Sequence, residues 1–183
     1  YLFLAEMSDT EGLPPRPTFF TEARGNVPVF LRMYREMEAK LKSAAEEIDA
    51  AKNDVPERCK LMFGSEASAI RWFYHTARAH ANFYESCQLR EELRALAKSE
   101  TKTPEQIETA KKQFARWREV LLDEKANAEA ALPVMEGDVR LDWYYGGDHT
   151  FPHGADMIRE KLRILQSEID TVLPALEKKV VAN

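Results

Sequence analysis

The stretch from Ser65 to Lys98 constrains the fold of this chain most strongly, because it contains neither glycine nor proline. Ser65 is a suitable N-cap residue, and Glu66 and the alanines that follow it favour a helix. A stripe of apolar side chains at helical spacing runs along it: Ile70, Trp72, Phe73, Ala77, Ala81, Phe83, Tyr84, Cys87, Leu89, Leu93 and Leu96. A stripe of this width must pack on more than one side. We therefore predict one long helix near the centre of a helical bundle.

A first helix is predicted before this one, starting at Asn26. Asn26 can cap its N-terminus, and Pro28 suits the first turn, where its missing N–H would be unpaired in any case. Apolar residues then step by three or four along one face: Phe30, Met33, Met37, Leu41, Ala44, Ile48 and Ala51. Asp54 and Pro56 open a further short helical piece, which we expect Gly64 to break or kink.

The clearest helix start in the chain lies at Thr103. This residue is followed by Pro104, which suits the first helical position, and by Gln106, which completes a capping box. Apolar residues continue at helical spacing beyond it: Ile107, Ala110, Phe114, Trp117, Leu121, Ala128 and Ala131. We expect this helix to stop before Pro133.

A last helix is predicted from the boundary at 153–156, which reads His-Gly-Ala-Asp. Its apolar residues alternate steps of four and three, as in helices that pack at shallow angles: Ile158, Leu162, Leu165, Ile169, Val172 and Leu176. Pro174 interrupts this seam, because proline lacks an N–H and its ring clashes with the preceding turn. We expect a kink there, or a helix end between Thr171 and Leu173.

Four long helices joined by short turns predict an all-α fold, an antiparallel bundle in residues 26–183. The chain has 183 residues, and one core suffices for a domain of about 150 residues. Residues 1–25 are rich in proline and glycine and are predicted as an extended lead-in or linker, anchored by Phe19 and Phe20.

Charge and hydropathy exclude several partners. The net charge is −5 and opposite charges are interleaved, so the sequence lacks a basic stripe for nucleic acid. No run approaches the roughly 20 apolar residues of a membrane span. The two cysteines, Cys59 and Cys87, both fall in helical pattern, which favours small buried thiols over a disulfide.

The connection from Val134 to Pro152 is long for a bundle, and loops of this length are usually functional or packed down. It concentrates aromatic and polar side chains: Asp138, Arg140, Asp142, Trp143, Tyr144, Tyr145, His149 and, just beyond it, His153. Aromatic rings can stack on a sugar while charged groups bond its hydroxyls, although such mixtures also line other pockets. These eight residues are the candidate ligand-binding site. The alternative is a structural brace, in which Arg140 pairs with Asp138 or Asp142.

Catalytic and metal-binding signatures do not appear in the sequence. His75 and His80 are five residues apart and so point about 140° apart on a helix, too far to share one ion. The paired Glu-x-x-His motifs of di-iron bundles are missing, as are a nucleophile elbow and a phosphate loop. We therefore assign neither a cofactor nor a metal to this chain, and no catalytic residue.

Two motifs around the long connection resemble a known group of proteins. Residues 126–133 read Ala-Asn-Ala-Glu-Ala-Ala-Leu-Pro, and Glu136, Asp138, Arg140, Leu141 and Trp143 follow at fixed spacing. This run resembles the helical C-terminal region of large bacterial carbohydrate-active, glycoside hydrolase-like proteins. Two further stretches resemble the same region: Met157-Ile158-Arg159-Glu160-Lys161 and Tyr74-His75-Thr76-Ala77-Arg78. Val139 and Asp142 depart from the small polar residue and the glycine of that pattern.

The resemblance implies a non-catalytic helical accessory or interdomain module of a polysaccharide-processing protein. The catalytic barrel of that protein would lie upstream of this module, and the protein would be extracellular or periplasmic. The start at Tyr1, without methionine, also leads us to expect a piece of a larger chain. Two rivals are a stand-alone glycan-binding module that uses the connection, and an interaction scaffold that offers a helical face to a protein partner. An enzyme working at the connection is less favoured.

Overall fold

The computed structural model describes residues 26–97, 99, 101–142 and 153–181. Three long helices come first, namely α1 (Val27–Ala51), α2 (Lys60–Ala97) and α3 (Pro104–Glu136). A short helix, α4 (Val139–Asp142), precedes α5 (Gly154–Ser167) and α6 (Leu173–Val181), which are joined by the π-helical turn Glu168–Val172. The predicted all-α bundle is confirmed. The lead-in predicted at 1–25, with Phe19 and Phe20, lies outside the described residues.

Each long helix packs antiparallel on its neighbours in the chain. The ion pairs Arg35–Glu85 and Asp49–Arg71 join α1 to α2. The later residue of α1 pairs with the earlier residue of α2, so the two helices run antiparallel. In the same way, Gln113 on α3 bonds Glu92 on α2. Helix α5 packs on α3, and α6 packs on both α3 and α2. Helix α2 therefore lies between α1 and α3, while α3 contacts α2, α5 and α6 and is the most central helix of those described.

Two apolar clusters form the core, and α1 contributes a buried residue to neither. The larger joins α2, α3, α5 and α6 through Leu89, Leu93, Ala110, Phe114, Trp117, Val120, Leu121, Leu165, Ile169, Leu173 and Val180. The smaller lies at the other end of α3 and contains Ala128, Ala131, Met135, Ala155 and Ile158. Helix α1 has no buried residue, so it lies at the edge of the bundle.

Helix boundaries were predicted well where a cap defines them. Thr103 accepts from Gln106 N–H, and the Gln106 side chain accepts from Thr103 N–H, so the capping box is complete. His153 precedes the first residue of α5, as predicted. Asn26 precedes α1 and Pro28 lies in its first turn, but the Asn26 side chain makes no capping bond.

Two interruptions predicted from glycine and proline, at Gly64 and before Pro133, do not occur. Helix α2 starts at Lys60 and runs through Gly64, so Ser65 is an interior residue and not an N-cap. The piece predicted after Asp54 begins as the 3₁₀ turn Glu57–Cys59 and continues directly into α2. Helix α3 continues past Pro133 to Glu136. In α3, the carbonyl that Pro133 leaves unpaired belongs to Glu129, which is exposed and can bond to water.

The regular α-helix is interrupted before Pro174, in the region where the sequence predicts a kink or a helix end: α5 gives way to the π turn Glu168–Val172 before α6 begins at Leu173. The π turn also changes which carbonyl the proline leaves unpaired. In this turn the N–H of Leu173 bonds Glu168 O, five residues earlier. In the same register the missing N–H of Pro174 would have bonded Ile169 O. The guanidinium of Arg118 on α3 donates to that oxygen at 3.1 Å. The helix therefore passes the proline without an unsatisfied carbonyl.

Within the described ranges, no helix combines the length and the apolar character that a membrane crossing requires. Both cysteines are free thiols, as expected from their helical positions. Burial raises the pKa of the Cys87 thiol to about 12, so this thiol stays protonated at neutral pH.

Candidate functional site

Asp138 and Arg140 form a local brace at the start of the long connection. The Asp138 carboxylate accepts from the backbone N–H of Arg140 at 3.1 Å, which caps the short helix α4. The same carboxylate pairs with the Arg140 guanidinium at 2.6 and 2.9 Å. The hydrogen bond from Arg140 holds the pKa of Asp138 below its ordinary value. Arg140 also donates to the carbonyl of Ser65 at 2.8 Å, so the brace ties α4 to α2.

Asp142 and His153 flank the aromatic segment 143–152 and lie next to each other. Asp142 Oδ2 is 3.2 Å from His153 Nδ1. Asp142 Oδ1 accepts from the backbone N–H of Ala155 at 2.9 Å, so it caps the N-terminus of α5 from a distance. The two ends of the segment are thus held together on one helix end.

The structure brings four of the eight predicted site residues together in this way: Asp138, Arg140, Asp142 and His153. The other four, Trp143, Tyr144, Tyr145 and His149, lie outside the described residues, so their role stays a prediction. The sequence did not single out Arg159, which pairs with Glu136 across the gap between α5 and α3. Gly154 packs tightly here, since a Cβ at this position would lie 2.5 Å from Met135 Sδ.

A second polar site lies inside the bundle, between the two apolar clusters. Its centre is Asn82 on α2, which is fully buried. The Asn82 amide nitrogen donates to Asp123 at 2.8 Å and to Glu124 at 2.9 Å, both on α3. Its oxygen accepts from Arg35 of α1 at 2.9 Å. One side chain therefore connects three helices.

We call this second site the polar layer. Its most deeply buried charged residue is Glu124, whose side chain is fully buried. One carboxylate oxygen accepts from Asn82, and the other pairs with the ammonium of Lys161 on α5. A buried carboxylate is strongly unfavourable without a partner, and Lys161 provides that partner for Glu124. This pair joins α3 to α5.

Further ion pairs surround the layer where α1, α2 and α3 meet. Arg78 pairs with Asp123 and lies 3.7 Å from Glu38, while Glu85 pairs with both Arg35 and Arg116. The hydrogen bond to Asp123 raises the pKa of Arg78. Burial opposes ionisation of Asp123, but hydrogen bonds from Arg78 and Asn82 outweigh it and hold its pKa below the ordinary value.

His75 completes the layer on the side of the smaller apolar cluster. Its Nδ1 lies 2.9 Å from Asn127 Oδ1, and the Asn127 amide donates back to the carbonyl of His75 at 3.0 Å. Because an amide oxygen only accepts, Nδ1 carries the proton of the neutral ring. Burial lowers the pKa of His75, which keeps the ring neutral at pH 7. His80, by contrast, stacks on Tyr34 with ring centres 4.7 Å apart.

Sequence reasoning missed this layer because its residues look individually ordinary. The available signal was a polar residue on an apolar stripe. Asn82 directly follows Ala81, Glu124 falls three residues after Leu121, and Asn127 directly precedes Ala128. Such positions carry polar side chains only when partners exist. The partners lie 37 to 52 residues away in the chain, so periodicity could not name them.

In both sites the polar side chains described above contact one another through hydrogen bonds or ion pairs. In the described part of the chain, no group of three or more His, Cys, Asp or Glu side chains could hold a metal ion. We compared the chain with protein-family models, curated proteins and solved structures, and none matches. The resemblance to carbohydrate-active proteins stays a hypothesis.

Proposed function

We propose that this chain is a non-catalytic helical accessory module of a polysaccharide-processing protein, and that it presents the segment 143–152 to a glycan. The observation that carries the proposal is the 3.2 Å contact between Asp142 and His153. This contact brings together the two ends of a segment rich in aromatic residues, next to the N-terminus of α5. Short surface loops with their ends together, held on a rigid scaffold, commonly carry binding functions.

The chemistry of the segment supports a sugar as the ligand. Trp143, Tyr144 and Tyr145 follow each other directly, and Phe151 comes shortly after. Aromatic faces that stack on a pyranose, with nearby polar groups, form a common type of small-molecule site. The resemblance of residues 126–143 to the helical region of carbohydrate-active proteins supports the same ligand class.

The role of the neighbouring charges supports binding over catalysis. Glycoside hydrolysis uses two carboxyl groups held about 5 to 10 Å apart across the scissile bond. Asp138 is engaged by Arg140, and Asp142 by Ala155 and His153. These carboxylates therefore hold the backbone in place, and we assign them a positioning role.

Tryptophan fluorescence tests the proposal directly, because one of the three tryptophans of the chain, Trp143, lies in this segment. The full chain is titrated with a series of neutral and acidic oligosaccharides. We expect a saturable change in emission with at least one of them. Trp143→Phe should remove this change, whereas Trp72→Phe, which alters a half-buried tryptophan beside the smaller apolar cluster, should retain it.

Two outcomes would contradict the proposal. No emission change with any oligosaccharide, or a change that survives Trp143→Phe, would exclude glycan binding by this segment. A steady release of reducing ends from a bound polysaccharide would instead show that the chain is catalytic. The fluorescence and reducing-end assays thus test the two halves of the proposal separately.

A further inference from the structure

The seam between α1 and α2 has two different sides. On the side toward α3, Arg35 and Glu38 of α1 meet the charged residues of α2 and, through Asn82, those of α3. On the other side, aromatic rings stack across the seam: Phe30 on Tyr84 at 5.3 Å, and Tyr34 on His80 at 4.7 Å. Helix α3 therefore covers the charged side, and the aromatic side faces away from it.

Four large apolar side chains extend the aromatic side and are exposed. Met37 lies two turns after Phe30, Met33 lies one turn before Met37, and Phe73 lies two turns before His80. Met62 is eleven residues, about three turns, before Phe73 and so lies in line with it. Their exposed fractions are 41% for Met33 and Met37, 68% for Met62 and 58% for Phe73. We call Met33, Met37, Met62 and Phe73 the hairpin face.

A group of exposed methionines with a phenylalanine calls for an occupant. Contiguous apolar surface on a helical protein usually marks an interaction site, and methionine adapts its shape to many partners. Helix α1 is otherwise unsupported on this side, since none of its residues is buried. An occupant here would bury both α1 and the open side of the seam.

We propose that the chain's own residues 1–25 cover the hairpin face as an extended strap, with Phe19 and Phe20 seated against Met33 and Met37. This segment joins α1 directly at Asn26. It carries the apolar residues that such a face would take: Leu2, Phe3, Leu4, Leu13, Phe19 and Phe20. Pro14, Pro15 and Pro17 disfavour a helix and favour an extended strand of chain.

The lengths of the two segments agree with this placement. If the strap runs back along α1 at about 3.1 Å per residue, Phe20 comes roughly 19 Å from Asn26. Met37 lies about 16 Å from Asn26 along a helix that rises 1.5 Å per residue. At the same spacing Leu13 reaches roughly 40 Å, about the length of α1, where Met62 lies at the start of α2. The apolar residues of the strap therefore come level with those of the face.

The tether favours this occupant over a second copy of the chain. A short flexible connection gives an attached segment an effective concentration of the order of millimolar. Another copy would have to compete with this at its own, much lower concentration. The second copy is therefore an outcome that the experiment below must distinguish.

Methionine methyl NMR tests the contact in the full chain, because the face contains three of the six methionines. The signals are assigned with single Met→Leu variants. Replacing both rings (Phe19→Ala with Phe20→Ala) should shift the Met33 and Met37 methyl signals, because ring currents are lost. The Met135 signal, from a buried residue of the smaller apolar cluster, should stay in place. The matched control, Thr18→Ala with Thr21→Ala, should shift none of the three.

Unchanged Met33 and Met37 signals in the double phenylalanine variant would overturn the proposal. Signals that move with protein concentration, together with a dimer in sedimentation, would also overturn it and assign the face to a second copy.

Crosslinking provides an independent measurement with the phenylalanines largely intact. In a chain with Cys59→Ala and Cys87→Ala, Phe20→Cys should form a disulfide faster with Met37→Cys than with Glu36→Cys, which lies at the same level on the outer side of α1. Equal rates would contradict the strap.

Discussion

Arg118 donates a hydrogen bond from Nη1 to the carbonyl oxygen of Ile169, the oxygen that Pro174 cannot serve in the π register. This contact reaches from α3 to the π turn between α5 and α6. It explains how a helical segment with an interior proline can continue and add Leu173 and Val180 to the larger apolar cluster.

Arg118→Ala should destabilise the fold by about 1–2 kcal/mol, because it leaves a carbonyl of a buried residue without a donor. Pro174→Ala restores a backbone N–H that can bond this carbonyl. In the Pro174→Ala background, therefore, the cost of Arg118→Ala should fall markedly. Urea unfolding of the four proteins measures the coupling. An equal cost in both backgrounds would show that Arg118 does not replace the proline's missing donor.

Lys161→Met should destabilise the fold by about 3 kcal/mol or more, since it leaves the buried Glu124 carboxylate without its cation. Adding Glu124→Gln should recover most of that loss. The glutamine oxygen can still accept from Asn82, and positions 124 and 161 then carry no buried charge. The same urea titrations measure both variants. A double variant as unstable as Lys161→Met alone would contradict the importance of the ion pair.

The stability of the fold should fall as the pH drops through the range in which His75 takes up a proton. The folded-state pKa of His75 lies below its ordinary value of 6.5 because of burial. Between these two pKa values the unfolded chain binds more protons, so stability rises with pH there. The contribution is complete above about pH 6.5 and is lost as the pH falls below it. His75→Gln should reduce the pH dependence of the urea unfolding midpoint over this range. His153→Gln, at an exposed position, should leave the contribution of His75 to that pH dependence unchanged.

Gly64→Ala should stabilise the protein by about 0.5–1 kcal/mol, because alanine loses less conformational freedom than glycine in a helix interior. A Cβ at Gly64 meets nothing within 4 Å, and the residue lies inside α2. Gly137→Ala is the control, since its Cβ would lie 3.1 Å from Pro133 O and the crowding should offset the gain. Thermal unfolding compares the two. A lower melting temperature for Gly64→Ala would indicate that a bend at this glycine is needed.

Capping signals predicted helix starts because they act within one turn. The Thr103 box and the boundary at His153 depend only on residues close in sequence, and both were found as expected. The effects of glycine and proline were predicted less well. A break at Gly64, Pro133 or Pro174 depends on what the rest of the chain contributes. The carbonyl of Glu129, which Pro133 leaves unpaired, can bond to water, and Arg118 supplies the donor that Pro174 lacks. At Gly64 the helix continues although a Cβ there would meet nothing within 4 Å.

The candidate site shows the same division. The sequence named Asp138, Arg140, Asp142 and His153, and it proposed that Arg140 pairs with Asp138, which the contacts confirm. It could not show that Asp142 caps α5 or meets His153, since these contacts depend on where the connection returns to the bundle. The polar layer of Asn82, Glu124 and Lys161 was not predicted at all.

The sequence by itself determined that this chain is helical, where most helices start and which faces are apolar. These properties follow from the 3.6-residue period and from capping chemistry, which act over one or two turns. Only the tertiary structure decided which polar groups are buried and which charges are paired. A buried carboxylate such as Glu124 is stable or unstable according to a partner from another helix, and no local pattern in the sequence specifies that partner.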